Sequence, residues 1–373
     1  MMSNDTKPRA LVFFQYLPPW RIDVFNEMAT YYNLSIAFTD ADSTGFTYDR
    51  QGLLNLLNPN IEVFFLNKGF KIGKRPVRLE IYGLLKKIQP AIVFSHEYSP
   101  TSILVANYKK LKFGNFKYVI TTSDNLIMAQ EVAGVKSFFR GYVLKRADAL
   151  VVYSDKVKSW YLEHFPTLRI EVCPNIQNPK TLLANKPAFI DLCALYKQKF
   201  KISDEKILLF TGRLEHVKGL DLLLQAFSKS KNKGVKLFLV GEGSEKERLQ
   251  QQCRELGIES NVVFAGFYSG KELYAWYEMA HGYVLPSRFE PFGAVVNEAL
   301  VFGCPVLASK YIGATDFLDT SNGILFDPLN MTDFTQKLNE FFIHFCNTNE
   351  KERKNLMPVS FKDYVRVFHN VNT

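Results

Sequence analysis

The segment of the chain that is most informative about its fold and chemistry is residues 283–303, YVLPSRFEPFGAVVNEALVFG. An apolar, strand-like run passes into a polar loop and then into a helical pattern that opens at Phe292 and Gly293. Two carboxylates, Glu290 and Glu298, are separated by seven residues. At ~3.6 residues per turn, Glu298 lies about a turn and a half into the helix, while Glu290 precedes it.

This arrangement of carboxylates predicts a binding site at the start of a helix. The backbone amides around Gly293 are free to bind an anion. Each carboxylate can accept hydrogen bonds from a pair of hydroxyls, so the site suits a polyhydroxylated, phosphorylated ligand. The alternative is that Glu290 caps the helix and Glu298 lies on the surface, and the spacing alone favours that alternative.

A second polar loop, residues 211–219, TGRLEHVKG, follows the apolar run ILLFT. Gly212 lets the backbone approach a ligand closely, and Arg213 and Lys218 project two cations from one loop. Cations beside a helix N-terminus suit a diphosphate. The alternative is an exposed loop with two solvated cations.

A third loop, in LVGEGSEK at residues 239–246, has a Gly-x-Gly turn that contains Gly241. Lys246 stands where a dinucleotide-binding fingerprint has its third glycine, so the evidence for NAD is weak. The segment is either a tight turn near a ligand or, more commonly, a plain turn.

Short apolar runs alternate with segments of helical spacing along most of the chain. The runs are at residues 11–14, 34–38, 63–66, 92–95, 118–121 and 150–154, then 207–211, 236–240, 262–265, 283–285, 306–308 and 324–326. This alternation predicts an α/β protein with parallel sheets and right-handed crossovers. Two such blocks predict two doubly wound, Rossmann-like domains, with the ligand beyond the carboxyl ends of the strands in the cleft between the domains.

The Pro- and Asn-rich segment 174–187 is the predicted linker, so the domains are residues 1–176 and 177–359. At the other end of the chain, residues 361–371 carry apolar side chains at helical spacing, which predicts one helix with a single buried face.

The composition, 47% hydrophobic and 22% charged over 373 residues, excludes a disordered tail, a collagen-like fibre and a disulfide scaffold. The five cysteines are scattered without a C-x-x-C pair, and the histidines have no metal spacing, so we expect no zinc site. Without a signal peptide or an apolar run of about 20 residues, the protein is predicted to be cytoplasmic.

The formal net charge of +9 lies almost entirely in the first half, where residues 1–185 hold 23 Lys/Arg and 15 Asp/Glu. The basic residues cluster at 68–78, at 109–117 and around Lys136, Arg140, Lys145 and Arg146, with interleaved phenylalanines. These clusters form either a solvated basic face without a specific role or a surface for phosphate on lipid or substrate. No nucleic-acid-binding motif accompanies them, so we expect no nucleic acid.

Taken together, the motifs resemble the retaining glycosyltransferases of family 4, which have the GT-B fold. The resemblance runs from about residue 207 to 328 and rests on GRLEHVKGLDLLLQAF, LVGEGSEKERLQ, VVFAGFYSGKELYAWYEMA, VLPSRFEPFGAVVNEALVFGCPVLAS and GILFDP. Segments 14–21, 94–100 and 172–175 fit more loosely, and QYLPPW at 15–20 resembles capsule and exopolysaccharide transferases. As a whole, the chain resembles capsule, lipopolysaccharide and exopolysaccharide glycosyltransferases.

The resemblance implies an acceptor-binding first domain, onto which residues 360–373 cross back, and a nucleotide-sugar-binding second domain. Arg213 and Lys218 would hold the donor diphosphate, so that neither a metal nor a cofactor is needed. Glu290 would contact hydroxyls of the transferred sugar, and Glu298 the ribose. The other donor-binding residues would be Gly212, Gly241, Phe267, Tyr268, Phe292, Gly293 and Ala294.

The resemblance also implies a mechanism in which the acceptor hydroxyl attacks on the face that the nucleotide leaves, while a donor phosphate oxygen helps to take the proton. Many family members have a histidine at the end of a first-domain strand, near the reacting centre. Here that strand ends in Ser123 and Asp124. Asp124 could act as a base or orienting group, or Ser123 replaces the histidine. His96, followed by Glu97, is another candidate, although a lone histidine is more often structural.

The leading hypothesis is therefore a glycosyltransferase that takes a sugar from a nucleotide sugar and extends a cell-surface glycan. Its acceptor would be a glycan or a polyprenyl-diphosphate-linked sugar, and its basic first domain would contact the anionic inner face of the membrane. The alternatives are a nucleotide-sugar epimerase of the same fold and a non-catalytic subunit that binds a nucleotide sugar.

Overall fold

The computed structural model describes residues 7–40, 49–73, 75–231, 234–346 and 353–372. The chain divides into two compact units, the first formed by Met1–Gln177 and Val359–Thr373 and the second by Asn178–Pro358. Residues 174–187, predicted as a linker, contain the short helix Pro179–Leu182 and the start of another helix at Lys186.

The first unit is built on a parallel sheet. Its strands are β1 Arg9–Phe14, β2 Asn33–Phe38, β3 Glu62–Phe65, β4 Phe70–Ile72, β5 Arg75–Val77, β6 Ile92–His96, β7 Lys117–Thr121, β8 Ala149–Val152 and β9 Arg169–Val172. The sheet has the order β3-β2-β1-β6-β7-β8-β9, and β4 and β5 form a separate antiparallel hairpin. The strand order reverses between β1 and β6, which makes the space beyond their carboxyl ends a topological switch point, where doubly wound proteins bind ligands.

Helices cover both faces of this sheet, so its inner strands are almost continuously buried, as parallel strands require. These helices are α1 Ile22–Tyr31, α2 Arg50–Asn55, α3 Glu80–Ile88, α4 Pro100–Lys110, α5 Leu126–Glu131, α6 Gly134–Leu144 and α7 Asp155–His164.

The second unit repeats the plan. Its helices are α8 Pro179–Leu182, α9 Lys186–Lys199, α10 Leu220–Lys229, α11 Lys246–Glu255, α12 Gly270–Met279, α13 Ala294–Val301 and α14 Met331–Phe341. Its strands are β10 Lys206–Thr211, β11 Val235–Val240, β12 Val262–Gly266, β13 Gly282–Leu285, β14 Val306–Ser309 and β15 Gly323–Phe326. The order β12-β11-β10-β13-β14-β15 places the switch point between β10 and β13.

The C-terminal segment belongs to the first unit, but it is not the single helix predicted for residues 361–371. It forms two short helices, α15 Phe361–Val365 and α16 Val367–Asn370. The Tyr32 hydroxyl donates to the Phe368 carbonyl at 2.6 Å, and the Phe368 ring meets the Phe94 ring edge-on. These contacts with α1, β2 and β6 bury the apolar side of the segment.

The predicted fold class, α/β with two doubly wound parallel sheets, is confirmed. All twelve predicted strands are present, with ends within two residues of the prediction. The sequence analysis did not predict the hairpin β4–β5, the edge strand β9 or the helices α2, α4, α5, α8 and α9. Within the described residues, no helix is both long enough and apolar enough to cross a bilayer.

Candidate active site

Two loops at the switch point of the second unit carry six of the thirteen predicted site residues. Residues 212–219 follow β10 and residues 286–293 follow β13. Because β10 and β13 are neighbouring parallel strands, both loops leave the sheet at the same edge. The strand order therefore brings together two loops that are more than sixty residues apart in the chain.

The backbones of these two loops are in direct contact. Gly219 adopts φ 67°, and a Cβ atom at this position would lie only 2.2 Å from the Pro286 carbonyl oxygen. Two residues on from Pro286, the Arg288 amide donates to the Val217 carbonyl at 2.8 Å. Only glycine permits this approach, because any side chain would force the loops apart.

Arg288 reinforces the junction with its side chain. The guanidinium donates to both carboxylate oxygens of Asp221, at 2.7 and 2.8 Å, and to the His216 carbonyl at 2.9 Å. Burial raises the pKa of Asp221, but the hydrogen bonds and charge of Arg288 outweigh it and leave that pKa below its usual value. Arg288 lies within the quoted segment 283–303, but the sequence analysis assigned it no role.

At this junction the structure pairs two of the predicted site residues, Lys218 and Glu290. The Lys218 ammonium donates to Glu290 Oε2, and both side chains are largely shielded, with exposures of 17% and 18%. The helix α13 begins at Gly293 without a side-chain cap, so Glu290 is not the helix cap that the spacing alone favoured.

Glu298 is likewise not a plain surface residue. Its Oε2 accepts a hydrogen bond from the buried Tyr277 hydroxyl at 2.9 Å. That hydroxyl also lies 2.7 Å from Thr211 Oγ1, which is 3.1 Å from the Tyr283 hydroxyl. Burial, followed by the charge of Glu298, raises the pKa of Tyr277, so the phenol stays protonated and donates to the carboxylate. The chain of hydroxyls fixes Glu298 against the end of β10.

The remaining predicted donor residues lie around these loops. A Cβ atom on Gly241 would lie 1.9 Å from the Gly212 carbonyl oxygen, so the turns after β10 and β11 also meet backbone to backbone. Arg213 is exposed on the first loop, and Phe292, buried at the end of the second, leads into Ala294 at the start of α13.

The pair predicted to line the base is divided between two environments. Phe267 is 73% exposed directly after β12. The Tyr268 ring instead packs near Tyr196 and Trp276, with centroids 5.2 and 5.6 Å away. Lys199 also donates to its hydroxyl at 3.0 Å. Phe267 is thus the more accessible of the two, while Tyr268 is part of an aromatic cluster.

In the first unit, His96 ends β6 next to the switch point of that sheet. Its ring stacks on Phe14 with a centroid distance of 4.1 Å, and Nδ1 lies 2.9 Å from Thr121 Oγ1. Burial and the positive charge of Arg21 lower the pKa of His96 to about 3, so its ring is neutral. Nε2 lies 3.4 Å from Glu97 Oε1, and because the ring is neutral this contact is not an ion pair.

Asp124 is buried and tied to its own unit. Its Oδ2 accepts from the Tyr161 hydroxyl at 2.7 Å, and Tyr161 in turn accepts from Tyr98 at 2.8 Å. Burial, followed by the charge of Glu97, raises the pKa of Asp124 to about 6. A carboxyl group that changes charge near neutral pH suits proton transfer, but its contacts suit a positioning role equally well.

Glu97 is a candidate residue that the sequence analysis mentioned only beside His96. It adopts φ 59°, in the left-handed region that non-glycine residues rarely occupy. Its carboxylate accepts from the Ser123 amide and hydroxyl, at 2.8 and 2.6 Å, and from the Thr122 hydroxyl at 3.1 Å. No pattern in the sequence signals this strained turn, because its partners follow a different strand.

No cluster of three or more His, Cys, Asp or Glu side chains among the described residues has an arrangement that could hold a metal ion.

Comparisons with known proteins place this geometry in context. Residues 194–356 match the family described as Glycosyl transferases group 1. The chain is 29% identical over 203 residues to lipopolysaccharide 1,2-N-acetylglucosaminetransferase of Salmonella typhimurium. This alignment covers 51% of this chain and 52% of that enzyme. Across five curated relatives, the matched stretches span only 33% to 64% of the length of the relative.

Solved structures match over almost the whole chain. The lipopolysaccharide outer core galactosyltransferase WaaB gives a TM-score of 0.71 at 19% identity, covering 97% of this chain and 98% of that one. HepE of Anabaena in complex with UDP gives 0.67 at 16% identity, covering 98% and 97%. At these identities the likeness shows the fold. Residues 194–356 thus match the glycosyl transferases group 1 family, and the chain has the GT-B fold of these solved structures.

Proposed function

We propose that the protein is a retaining glycosyltransferase of family 4, which moves a sugar from a nucleoside-diphosphate sugar to a glycan or a polyprenyl-diphosphate-linked acceptor in cell-surface polysaccharide synthesis. The observation that carries this proposal is the Lys218–Glu290 pair. It joins a cation suited to a diphosphate and a carboxylate suited to sugar hydroxyls at one switch point. The lipopolysaccharide enzymes among the relatives and the UDP complex of HepE support the same assignment.

The proposed donor site stabilises the leaving nucleotide by charge. Arg213 and Lys218 come from one loop, and the first amides of α13 point from the neighbouring loop. As the bond to the sugar breaks, negative charge grows on the diphosphate, and fixed positive groups stabilise that state more than the ground state. Two side-chain cations supply this stabilisation without a metal ion, so we propose a metal-independent reaction that needs no cofactor.

The carboxylates position the donor rather than attack it. Lys218 holds Oε2 of Glu290, which fixes the carboxylate and leaves Oε1 to accept from a sugar hydroxyl. The Tyr277 hydroxyl donates to Oε2 of Glu298 and so positions that carboxylate for the ribose. With the donor fixed, the acceptor hydroxyl attacks on the face that the nucleotide leaves and passes its proton to a donor phosphate oxygen. The rate gain then comes from positioning and electrostatics.

Thermal denaturation with UDP in the presence of EDTA tests the donor site. A ligand that binds only the folded state raises the unfolding midpoint. We expect UDP to raise it for the wild type and for Glu255→Gln, an exposed control in the same unit, but much less for Lys218→Met. The proposal is wrong if no nucleoside diphosphate stabilises the protein or if Lys218→Met responds like the wild type.

Product analysis separates transfer from the other activities of this fold. With the donor identified by the denaturation screen, we expect sugar transfer only when an acceptor is added, with the anomeric configuration retained. Formation of an epimer without acceptor would assign the protein as an epimerase. Donor binding without turnover on any acceptor would assign it as a binding subunit.

We also propose that the first unit docks on the anionic inner face of the membrane, where a lipid-linked acceptor would be found. Helix α6 exposes Val135 and Phe138, at 71% and 67%, and the hairpin β4–β5 exposes Phe70 and Ile72. Both α6 and β5 contact α4, whose end carries basic residues. Exposed apolar side chains beside lysines are typical of a surface that binds anionic lipid.

Arg140, in one of the predicted basic clusters, does not contribute to an exposed basic surface. Arg140 is buried, and its guanidinium donates to the Ala129 carbonyl at 2.7 Å. Lys74 lies outside the described residues.

Flotation with phosphatidylglycerol vesicles tests the docking. We expect the wild type and Ile190→Ser, an exposed apolar control in the second unit, to float with the vesicles, and Val135→Ser/Phe138→Ser to stay in solution. Absence of lipid-dependent flotation for the wild type would refute docking while leaving the donor-site proposal intact.

A further inference from the structure

The switch point of the first unit contains a buried cation that no described protein group neutralises. Arg21 is 2% exposed, at the end of a single helical turn, Pro19–Arg21, between β1 and α1. Its Nε and one terminal guanidinium nitrogen, Nη1, have no hydrogen-bond partner. Within the described residues, no ion pair joins Arg21 to a carboxylate.

The other buried arginines of the described chain show what a structural role looks like. Arg78 donates from Nε to the Thr39 carbonyl at 2.9 Å. Arg140 donates to the Ala129 carbonyl at 2.7 Å and lies near the carboxyl of Asp124. Arg21 differs from both of them, because two of its three nitrogens are buried and unsatisfied.

The contacts that Arg21 does make cannot offset its burial. Its guanidinium lies 5.6 Å from the Tyr153 ring centroid and 5.9 Å from that of Phe368. It also hydrogen-bonds with the Cys173 thiol, but burial raises the pKa of that thiol, so Cys173 is neutral and supplies no opposite charge. Such cation–π contacts are several times weaker than the cost of removing a guanidinium from water. Arginine stays protonated in proteins, so it cannot avoid the cost by losing its charge. The missing compensation points to an anion that binds there.

The neighbours of Arg21 favour an anion over water alone. His96, the last residue of β6, is neutral, so it does not repel Arg21 and adds no second positive charge that would bind the anion in its place. Near His96, the Glu97 side chain is 34% exposed, so this edge of the sheet reaches solvent. The carboxylate of Glu97 is already bound by Thr122 and Ser123.

We propose that Arg21 binds an oxyanion of the acceptor, a phosphoryl or carboxylate group, at the switch point of the first unit. The transferase therefore acts on an anionic acceptor. That the bound oxyanion belongs to an acceptor rests on the proposed function, whereas the existence of the anion site does not. Guanidinium groups bind such oxyanions through strong, charge-assisted hydrogen bonds.

Thermal denaturation in a low-salt buffer tests the site, in a Lys218→Met background that weakens anion binding by the second unit. Arg21→Met keeps the apolar stem and removes the charge. Without added anion, we expect Arg21→Met to unfold at or above the midpoint of its parent, whereas Arg140→Met, a buried arginine with a partner, unfolds at a lower temperature. Inorganic phosphate then raises the midpoint of the parent and of Arg140→Met but leaves that of Arg21→Met unchanged.

The source of the oxyanion is distinguished by repeating the titration with farnesyl diphosphate, glucose 1-phosphate and glucuronate. Farnesyl diphosphate represents a lipid diphosphate, glucose 1-phosphate a sugar phosphate and glucuronate an acidic sugar. The strongest shift that depends on Arg21 identifies the acceptor class. If none of the anions stabilises the parent, or if Arg21→Met keeps the shift and loses as much stability as Arg140→Met, Arg21 is a structural arginine and the proposal is overturned.

Kinetics tests the acceptor role separately. With an anionic acceptor, we expect Arg21→Met to raise its KM by about tenfold to a hundredfold, the effect of losing a charge-assisted hydrogen bond, with little change in the KM of the donor. An unchanged acceptor KM would overturn the acceptor role. If UDP fails to stabilise the protein while phosphate still acts through Arg21, the proposed function fails and the anion site stands.

Discussion

The contact between the two donor loops can be tested at a single atom, the Cβ that Gly219 lacks. In Gly219→Ala this atom would lie 2.2 Å from the Pro286 carbonyl oxygen, whereas real Cβ atoms stay at least 3.0 Å from such neighbours. The loops must therefore separate by about 0.8 Å, close to the ~1 Å misplacement that can cost an enzyme ~100-fold in rate. We expect the variant to lose about that factor in kcat/KM, because Lys218 and Glu290 would no longer be correctly positioned together.

A second glycine provides a matched control for this variant. Gly257 has φ 66°, almost the same as the 67° of Gly219, but a Cβ atom there would have nothing within 4 Å. Both alanine variants carry the cost of a left-handed backbone, about 1–2 kcal/mol, so this cost cancels in the comparison. What remains is the effect of the contact between the loops.

Transferase activity with a saturating donor, together with urea denaturation, measures both quantities. We expect Gly257→Ala to lose stability and keep kcat/KM within about threefold, since the strain is far from the donor loops. Gly219→Ala should lose more stability and most of its activity. If the two variants have the same activity, the close approach of the two loops does not control the site, and our reasoning is refuted.

Three further predictions concern the buried polar groups. In Tyr277→Phe, Glu298 loses a buried hydrogen bond, so we expect the stability to fall by about 1–3 kcal/mol and calorimetry to show weaker UDP binding. The control Tyr283→Phe should lose stability but keep its affinity for UDP. Burial raises the Asp124 pKa from 3.8 to about 6, so the folded protein holds this proton more tightly and wild-type stability falls as pH rises through that window. Asp124→Asn removes this fall, so urea denaturation should show the variant gaining stability relative to the wild type between pH 4 and pH 6. The same stability difference between variant and wild type at both pH values would contradict the prediction. The His96 pKa is lowered from 6.5 to about 3. The contribution of the neutral ring to folding stability is therefore complete above pH 6.5 and is lost as pH falls toward 3. His96→Asn should make stability depend less on pH on the acid side, as urea denaturation would show.

The second unit was predictable in more detail than the first. Its four inner strands, β10, β11, β13 and β14, are buried on both faces, so each appears in the sequence as a short apolar run before a polar loop. The elements that were missed lack this signal. Phe70 and Ile72 in the hairpin are exposed, and the edge strand β9 carries Arg169 and Glu171, so neither forms a continuous apolar run.

The candidate site was predictable as a set of residue types but not as a set of contacts. The spacing of Glu290 and Glu298 left a capping role open for the first and a surface position for the second. The structure instead pairs Glu290 with Lys218, across 72 residues, and Glu298 with Tyr277. The Tyr268 ring could equally have lined an open pocket, but packing against Trp276 directs it elsewhere.

The sequence by itself determined the alternation of strands and helices, the loops that carry cations and carboxylates, and the glycines at their turns. These features depend on neighbours along the chain, through burial patterns and backbone freedom. Only the tertiary structure decided which loops meet at a switch point, why Glu97 is strained between His96 and Ser123, and that two nitrogens of Arg21 are buried without a hydrogen-bond partner. Such contacts depend on strand order, which brings distant segments to one edge of a sheet and is not encoded in any local pattern.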